Sequence, residues 1–111
     1  MDEKRAAQLL EAEHREVSAL LRDIDEAGEN DRAGANEQGD MADPAESLID
    51  EQQESAVASG LRERLAAIER AQQRLREGTY GRSIRSGVPI PDERLEADPA
   101  AELTVDEALE P

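Results

Sequence analysis

Ser83 and Ser86 are separated by two residues in the stretch GTYGRSIRSGVPIP, residues 78 to 91, where three glycines and two prolines break a long helix-like run. Cysteines at that spacing on a tight turn would form a metal knuckle, because two thiolates can then share one tetrahedral ion. Hydroxyls do not do this chemistry: near neutral pH they stay protonated and are poor ligands. The chain has no cysteine and a single histidine, His14, so no thiolate or second imidazole can complete a ligand set. His14 lies beside an apolar stripe and reads as a surface or boundary residue.

Enzymatic chemistry finds little support. No phosphate-binding loop of the G-x-x-x-x-G-K-[ST] type is present. Paired carboxylates are too common among 28 acidic residues to argue acid–base catalysis.

Those 28 acids face 13 basic residues, for a formal charge of −15. Nucleic-acid binding depends on a cationic footprint that displaces counterions, and this balance has the opposite sign. Direct binding to DNA or RNA is therefore not expected, and a basic partner, or a metal ion already held by a partner, fits the charge. The absence of cysteine suits a reducing compartment. No apolar stretch approaches the ~20 residues of a membrane span. The N-terminal MDEKRAAQLLEAEHRE is too charged for a secretory signal. A cytoplasmic protein is expected.

Tyr80 is the only aromatic residue, and much of the 37% hydrophobic content is alanine. A thick globular core cannot be built from this set, because large aromatics normally supply much of a core's buried area. Apolar stripes buried along a two-helix seam can be. The fold expected is mainly α: an antiparallel two-helix coiled-coil hairpin with a small C-terminal base.

Residues 2 to 27 read as the first helix, with Leu10, Val17 and Ile24 seven apart and Leu20 and Leu21 filling the same face. Residues 28 to 43 lack periodicity, contain three glycines and read as the tip loop. The segment DPAE then places Asp43 at an N-cap, Pro44 at the first helical position and Glu46 three residues after the cap. The second helix is predicted over 44 to 77, stopped by Gly78. Its seam is Val57, Leu61, Leu65, Ile68, Gln72 and Leu75. At 1.5 Å per residue it would be about 50 Å long.

Residues 1 to 77 thus form the hairpin and residues 78 to 111 the base and a short tail. In the base, Pro91, Asp92 and Glu93 open a short helix that ends near Ala97. Ile84, Val88, Ile90, Leu95, Leu103 and Val105 are expected to cluster with Tyr80, and the final DEALEP to fray. A bare hairpin has marginal stability, so either the base supports it or the chain dimerises; a monomer is expected.

The stretch from 75 to 107 resembles the DksA/TraR-type regulators of RNA polymerase. That family reads G-T-Y-G-x-C-x-x-C-G-x-x-I-P, then R-L-E-A-x-P, then a second C-x-x-C. Gly78, Thr79, Tyr80, Gly81, Gly87, Ile90 and Pro91 match the first block; Arg94, Leu95, Glu96, Ala97 and Pro99 match the second. No gap is needed. The ligand positions differ: Ser83 and Ser86 stand at the first cysteine pair, Thr104 and Glu107 at the second. The resemblance thus implies a cysteine-free variant with a degenerate zinc ribbon. Zinc is expected to be absent, and no other cofactor is indicated. Small hydroxyls fit the space of the thiols and can hydrogen-bond across the knuckle in place of coordination.

The resemblance also implies a functional tip with a D-x-x-D-x-A motif, which falls on Asp40, Asp43 and Ala45. In the family the tip reaches through the secondary channel of RNA polymerase toward the catalytic Mg²⁺. Larger members carry a globular segment ahead of the hairpin and a longer helix after the ribbon, whereas this chain starts directly with the hairpin. The implied function is a non-enzymatic transcription regulator that inserts its acidic tip into that channel. The alternative from another class is a coiled-coil structural adapter that self-associates or binds a different protein.

Overall fold

The computed structural model describes the backbone of residues 1–38 and 44–110, and the side chains of residues 1–27 and 55–110. Helix α1 spans Glu3–Gln38, α2 Pro44–Glu77, α3 Asp92–Ala97 and α4 Val105–Leu109. The two long helices pack antiparallel, and a small C-terminal part follows them. Contacts divide the chain into two compact units, Met1–Arg15 with Leu65–Pro111, and Glu16–Arg64.

In α1, the Asp2 carboxylate accepts from the Lys4 backbone N–H at 3.2 Å and caps the first turn. The helix does not stop at residue 27, as the loss of periodicity suggested; it continues to Gln38, so residues 28 to 38 of the expected loop are helical. Apolar periodicity marks where a helix packs, not where it ends. An interior glycine costs about 1 kcal/mol relative to alanine, while every residue added to an existing helix gains a backbone hydrogen bond without a new nucleation cost. Residues 39 to 43 of the expected loop lie outside the described residues.

The buried side of α1 is Ala6, Leu10, Val17 and Leu21. Leu20, expected on the same face, is exposed. One residue along a helix is a rotation of about 100°, and Leu21 occupies the buried direction. In α2 the buried residues are Ala58, Ile68 and Ala71, while Leu61, Leu65, Gln72 and Leu75 are partly buried. Val57, read as the first seam residue, is 55% exposed, and Ala58 is the residue turned inward at 4%. The alternation of three and four residues, continued backward from Leu65 and Leu61, lands on position 58. His14 Nε2 meets Glu69 Oε1 at 3.2 Å in the first unit, and Arg62 meets Asp25 at 3.5 Å in the second.

Helix α2 ends in a Schellman motif. The Thr79 N–H bonds the Arg74 carbonyl at 2.9 Å and the Gly78 N–H bonds that of Leu75 at 3.3 Å. Gly78 has φ +78°, the left-handed conformation that this closure requires.

The C-terminal segment shares its unit with the start of α1 and the end of α2, so contacts do not divide the chain at residue 77. The reason is electrostatic as well as apolar. The Met1 ammonium pairs with Asp92, Arg5 pairs with Glu96, and Arg70 pairs with Glu102. Beneath these, Ile90, Leu95 and Ala101 form a buried cluster against which Met1 and Tyr80 pack. Ile84, Val88 and Val105 were expected in that cluster and are exposed instead. Two small residues, Ala100 and Ala101, are buried in this part. The terminal DEALEP does not fray throughout: Val105–Leu109 is helical, opened by a complete capping box.

Candidate functional site: a hydroxyl–carboxylate knuckle

The turn that carries Ser83 and Ser86 is a short antiparallel ladder closed on itself. The Ile90 N–H bonds the Gly81 carbonyl at 2.8 Å and the Ser83 N–H bonds that of Val88 at 2.8 Å. Arg82 and Pro89 face each other as an isolated antiparallel bridge. At the tip, the Gly87 N–H returns to the Ser83 carbonyl at 2.9 Å.

The structure brings Ser83, Ser86, Thr104 and Glu107 to one place, and the Glu107 carboxylate is the hub. Ser83 Oγ donates to Glu107 Oε2 at 2.9 Å. The Thr104 N–H donates to Glu107 Oε1 at 3.1 Å, and the Glu107 N–H returns to Thr104 Oγ1 at 3.2 Å. That reciprocal pair is the capping box of α4. Ser83 is 4% exposed. Its hydroxyl oxygen also accepts from the N–H groups of Arg85 and Ser86, at 3.1 and 3.2 Å, so its one donor and both lone pairs are used.

These donors hold the Glu107 carboxyl far below the usual carboxylate range, at about 2. The Thr104 backbone N–H is the largest cause. Partial desolvation opposes it, and the hydroxyls of Ser83, Ser86 and Thr104 add to the lowering.

The zinc ion that the family resemblance implies does not fit this arrangement. Three of the four positions are hydroxyls, which remain protonated, and a structural zinc site takes four thiolate or imidazole ligands in the usual case. Both oxygens of the one carboxylate already accept hydrogen bonds. Among the described residues, no group of three or more His, Cys, Asp or Glu side chains could hold a metal ion.

Around the knuckle, arginines that the sequence did not single out make further ties. Arg85 Nη1 donates to the Glu107 carbonyl at 3.4 Å and to Glu110 Oε2 at 3.1 Å. Arg70 grips Glu102 through two hydrogen bonds, at 2.8 and 3.2 Å, with Arg74 3.4 Å away on the same carboxylate. The Arg70 hydrogen bonds are the largest cause of the lowered Glu102 pKa. In a chain with 13 basic residues, no sequence pattern marks these arginines.

Asp40 and Asp43 lie outside the described residues. Ala45 falls in the first turn of α2, but its side chain is also outside them.

Among the described residues, no helix is long and apolar enough to cross a membrane. No protein-family model matches the chain. A curated relative, general stress protein 16O of Bacillus subtilis (strain 168), is 41% identical over 66 residues, which is 60% of this chain. The chain covers 40% of that relative's own length. Among solved structures, transcription factor DksA2 from Pseudomonas aeruginosa matches with a TM-score of 0.79 at 24% identity, over 96% of this chain and 79% of that one. The chain has a DksA-like fold.

Proposed function

We propose that the chain is a non-enzymatic, cytoplasmic transcription regulator of the DksA/TraR type that acts on RNA polymerase. The observation that carries this reading is the match over 96% of the chain to the fold of a protein described as a transcription factor. The ungapped GTYG and RLEA blocks support it, as does a formal charge of −15, which suits a protein partner better than nucleic acid.

In this reading Asp40, Asp43 and Ala45 form the working tip. Two carboxylates there would meet a metal-bound water or basic side chains near the catalytic Mg²⁺ of the polymerase, entered through the secondary channel. The base, held by the Ser83–Glu107 knuckle, would seat the hairpin at the rim of that channel.

The test is co-purification with core RNA polymerase at moderate salt, followed by in vitro transcription with the wild type and an Asp40→Asn/Asp43→Asn variant. Binding by both proteins, with a transcriptional effect only in the wild type, is expected. Loss of binding by the wild type refutes the partner. Equal transcription with both proteins refutes the role of the tip alone.

A further inference from the structure

Helix α4 buries no side chain of its own. Val105 is 49% exposed and Leu109 78%. Apolar packing therefore does not hold this helix to the base, and in a zinc ribbon the second ligand pair would anchor this region. Ser83 Oγ donates to Glu107 Oε2, with the Ser86 hydroxyl a further donor to that carboxylate, and α4 is also tied to the 83–86 turn by Arg85 Nη1 on the Glu107 carbonyl and on Glu110 Oε2. The last two involve exposed groups, and exposed ion pairs contribute little. The first is a charge-assisted bond from a buried hydroxyl, the stronger kind. It joins residues 24 apart in the chain.

We propose that the Ser83–Glu107 hydrogen bond is a latch that replaces the metal cross-link of a zinc ribbon, holding α4 on the base, and that opening it frees α4 without unfolding the Ile90–Leu95–Ala101 cluster. The geometry separates the two events. The cluster lies on Ile90, Leu95 and Ala101; Ile90 touches the knuckle turn only through its backbone N–H on the Gly81 carbonyl, and no cluster side chain bonds Ser83 or Glu107. The capping box joins only Thr104 and Glu107, so α4 can keep its own first turn when the latch opens. Neither a chelator nor a thiol oxidant can act on such a latch, because it contains neither metal nor thiol.

Two substitutions test the pair. Glu107→Gln retains a side chain that serves in a capping box, but turns an amide N–H₂ or a weaker carbonyl toward the Ser83 hydroxyl. Ser83→Ala removes the donor. In each single variant, the ¹⁵N heteronuclear NOE of residues 105 to 109 should fall while that of residues 90 to 101 is unchanged. Amide exchange at Ala108, whose N–H bonds the Thr104 carbonyl, should speed up roughly two- to tenfold, the range of one net hydrogen bond. The double variant should be no looser than the looser single one. An unchanged NOE in either single variant, or additive loosening in the double, overturns the latch.

Should Ser83→Ala not fold, Glu107→Gln and the unmodified chain still decide the matter. The wild type should melt at the same temperature with EDTA as with equimolar Zn²⁺. Zinc retained stoichiometrically through dialysis, with a raised melting temperature, overturns the replacement of the metal. None of these readouts depends on whether the chain binds RNA polymerase.

Discussion

The Tyr80 hydroxyl donates to the Pro99 carbonyl at 2.8 Å, joining the two blocks of the family-like motif across 19 residues. The only aromatic ring of the chain packs against the Ile90–Leu95–Ala101 cluster while its polar end satisfies a carbonyl beside α3. Burial pushes the phenol up to about 12, with nearby Arg74 working against that rise.

Tyr80→Phe should therefore destabilise the chain by about 0.5–1.5 kcal/mol, the net value of one hydrogen bond, since the ring packing is retained. Because the folded pKa lies above the ordinary value of about 10, the contribution is complete below pH 10 and lost as pH rises toward 12. Melting temperatures of the two proteins should differ at neutral pH and converge in alkali. A difference that persists above pH 12 contradicts this account.

Ile68 and Val57 should separate sharply, although both were read as seam residues. Ile68 is fully buried and Val57 is 55% exposed. Ile68→Ala should cost about 2–5 kcal/mol, and Val57→Ala should stay within about 0.5 kcal/mol. Urea unfolding of the two variants checks both values.

That contrast shows what the sequence makes legible and where it stops. The spacing of Leu61, Leu65, Ile68 and Leu75 reports a packed face, and the face is there. The end of that stripe carries no register mark, so Val57 and Ala58 cannot be told apart until the partner helix is in view. Lost periodicity and three glycines mark residues 28 to 43 as loop, yet α1 runs on to Gln38, because an isolated glycine lowers helix propensity without forbidding the helix. Gly78 was read as a stop and is one, since the chain there adopts the left-handed turn only glycine accepts cheaply. At the knuckle, the resemblance pointed to Ser83, Ser86, Thr104 and Glu107, but not to Glu107 as their common acceptor. Which side chain becomes a hub depends on where α4 lies against the turn, a three-dimensional relation with no local signature.

Acid should weaken the knuckle. Glu107 has a folded pKa of about 2, below the unfolded value of about 4.3. Its contribution to stability is thus complete above pH 4.3 and lost as pH falls toward 2. The melting temperature of Glu107→Gln should lie below that of the wild type at pH 6, with the gap closing over that acid window. A gap that is constant down to pH 2 argues that the carboxylate charge plays no part.

Two glycines should respond to alanine with opposite signs. Gly81 has φ +87°, and a Cβ there would meet Leu95 Cδ1 at 3.8 Å, an ordinary contact. Space is thus available, and the cost of Gly81→Ala is conformational, about 1–2 kcal/mol for a left-handed alanine. Gly60 lies inside α2 with nothing within 4 Å of its Cβ position. Gly60→Ala should stabilise by about 0.5–1 kcal/mol, because alanine loses less backbone freedom on entering a helix. Thermal melts of the two single variants and their combination provide the check. If the sites are independent, the combination should fall at the sum of the two shifts; if Gly81→Ala is neutral, the ladder from Gly81 to Ile90 does not hold its backbone in the left-handed region.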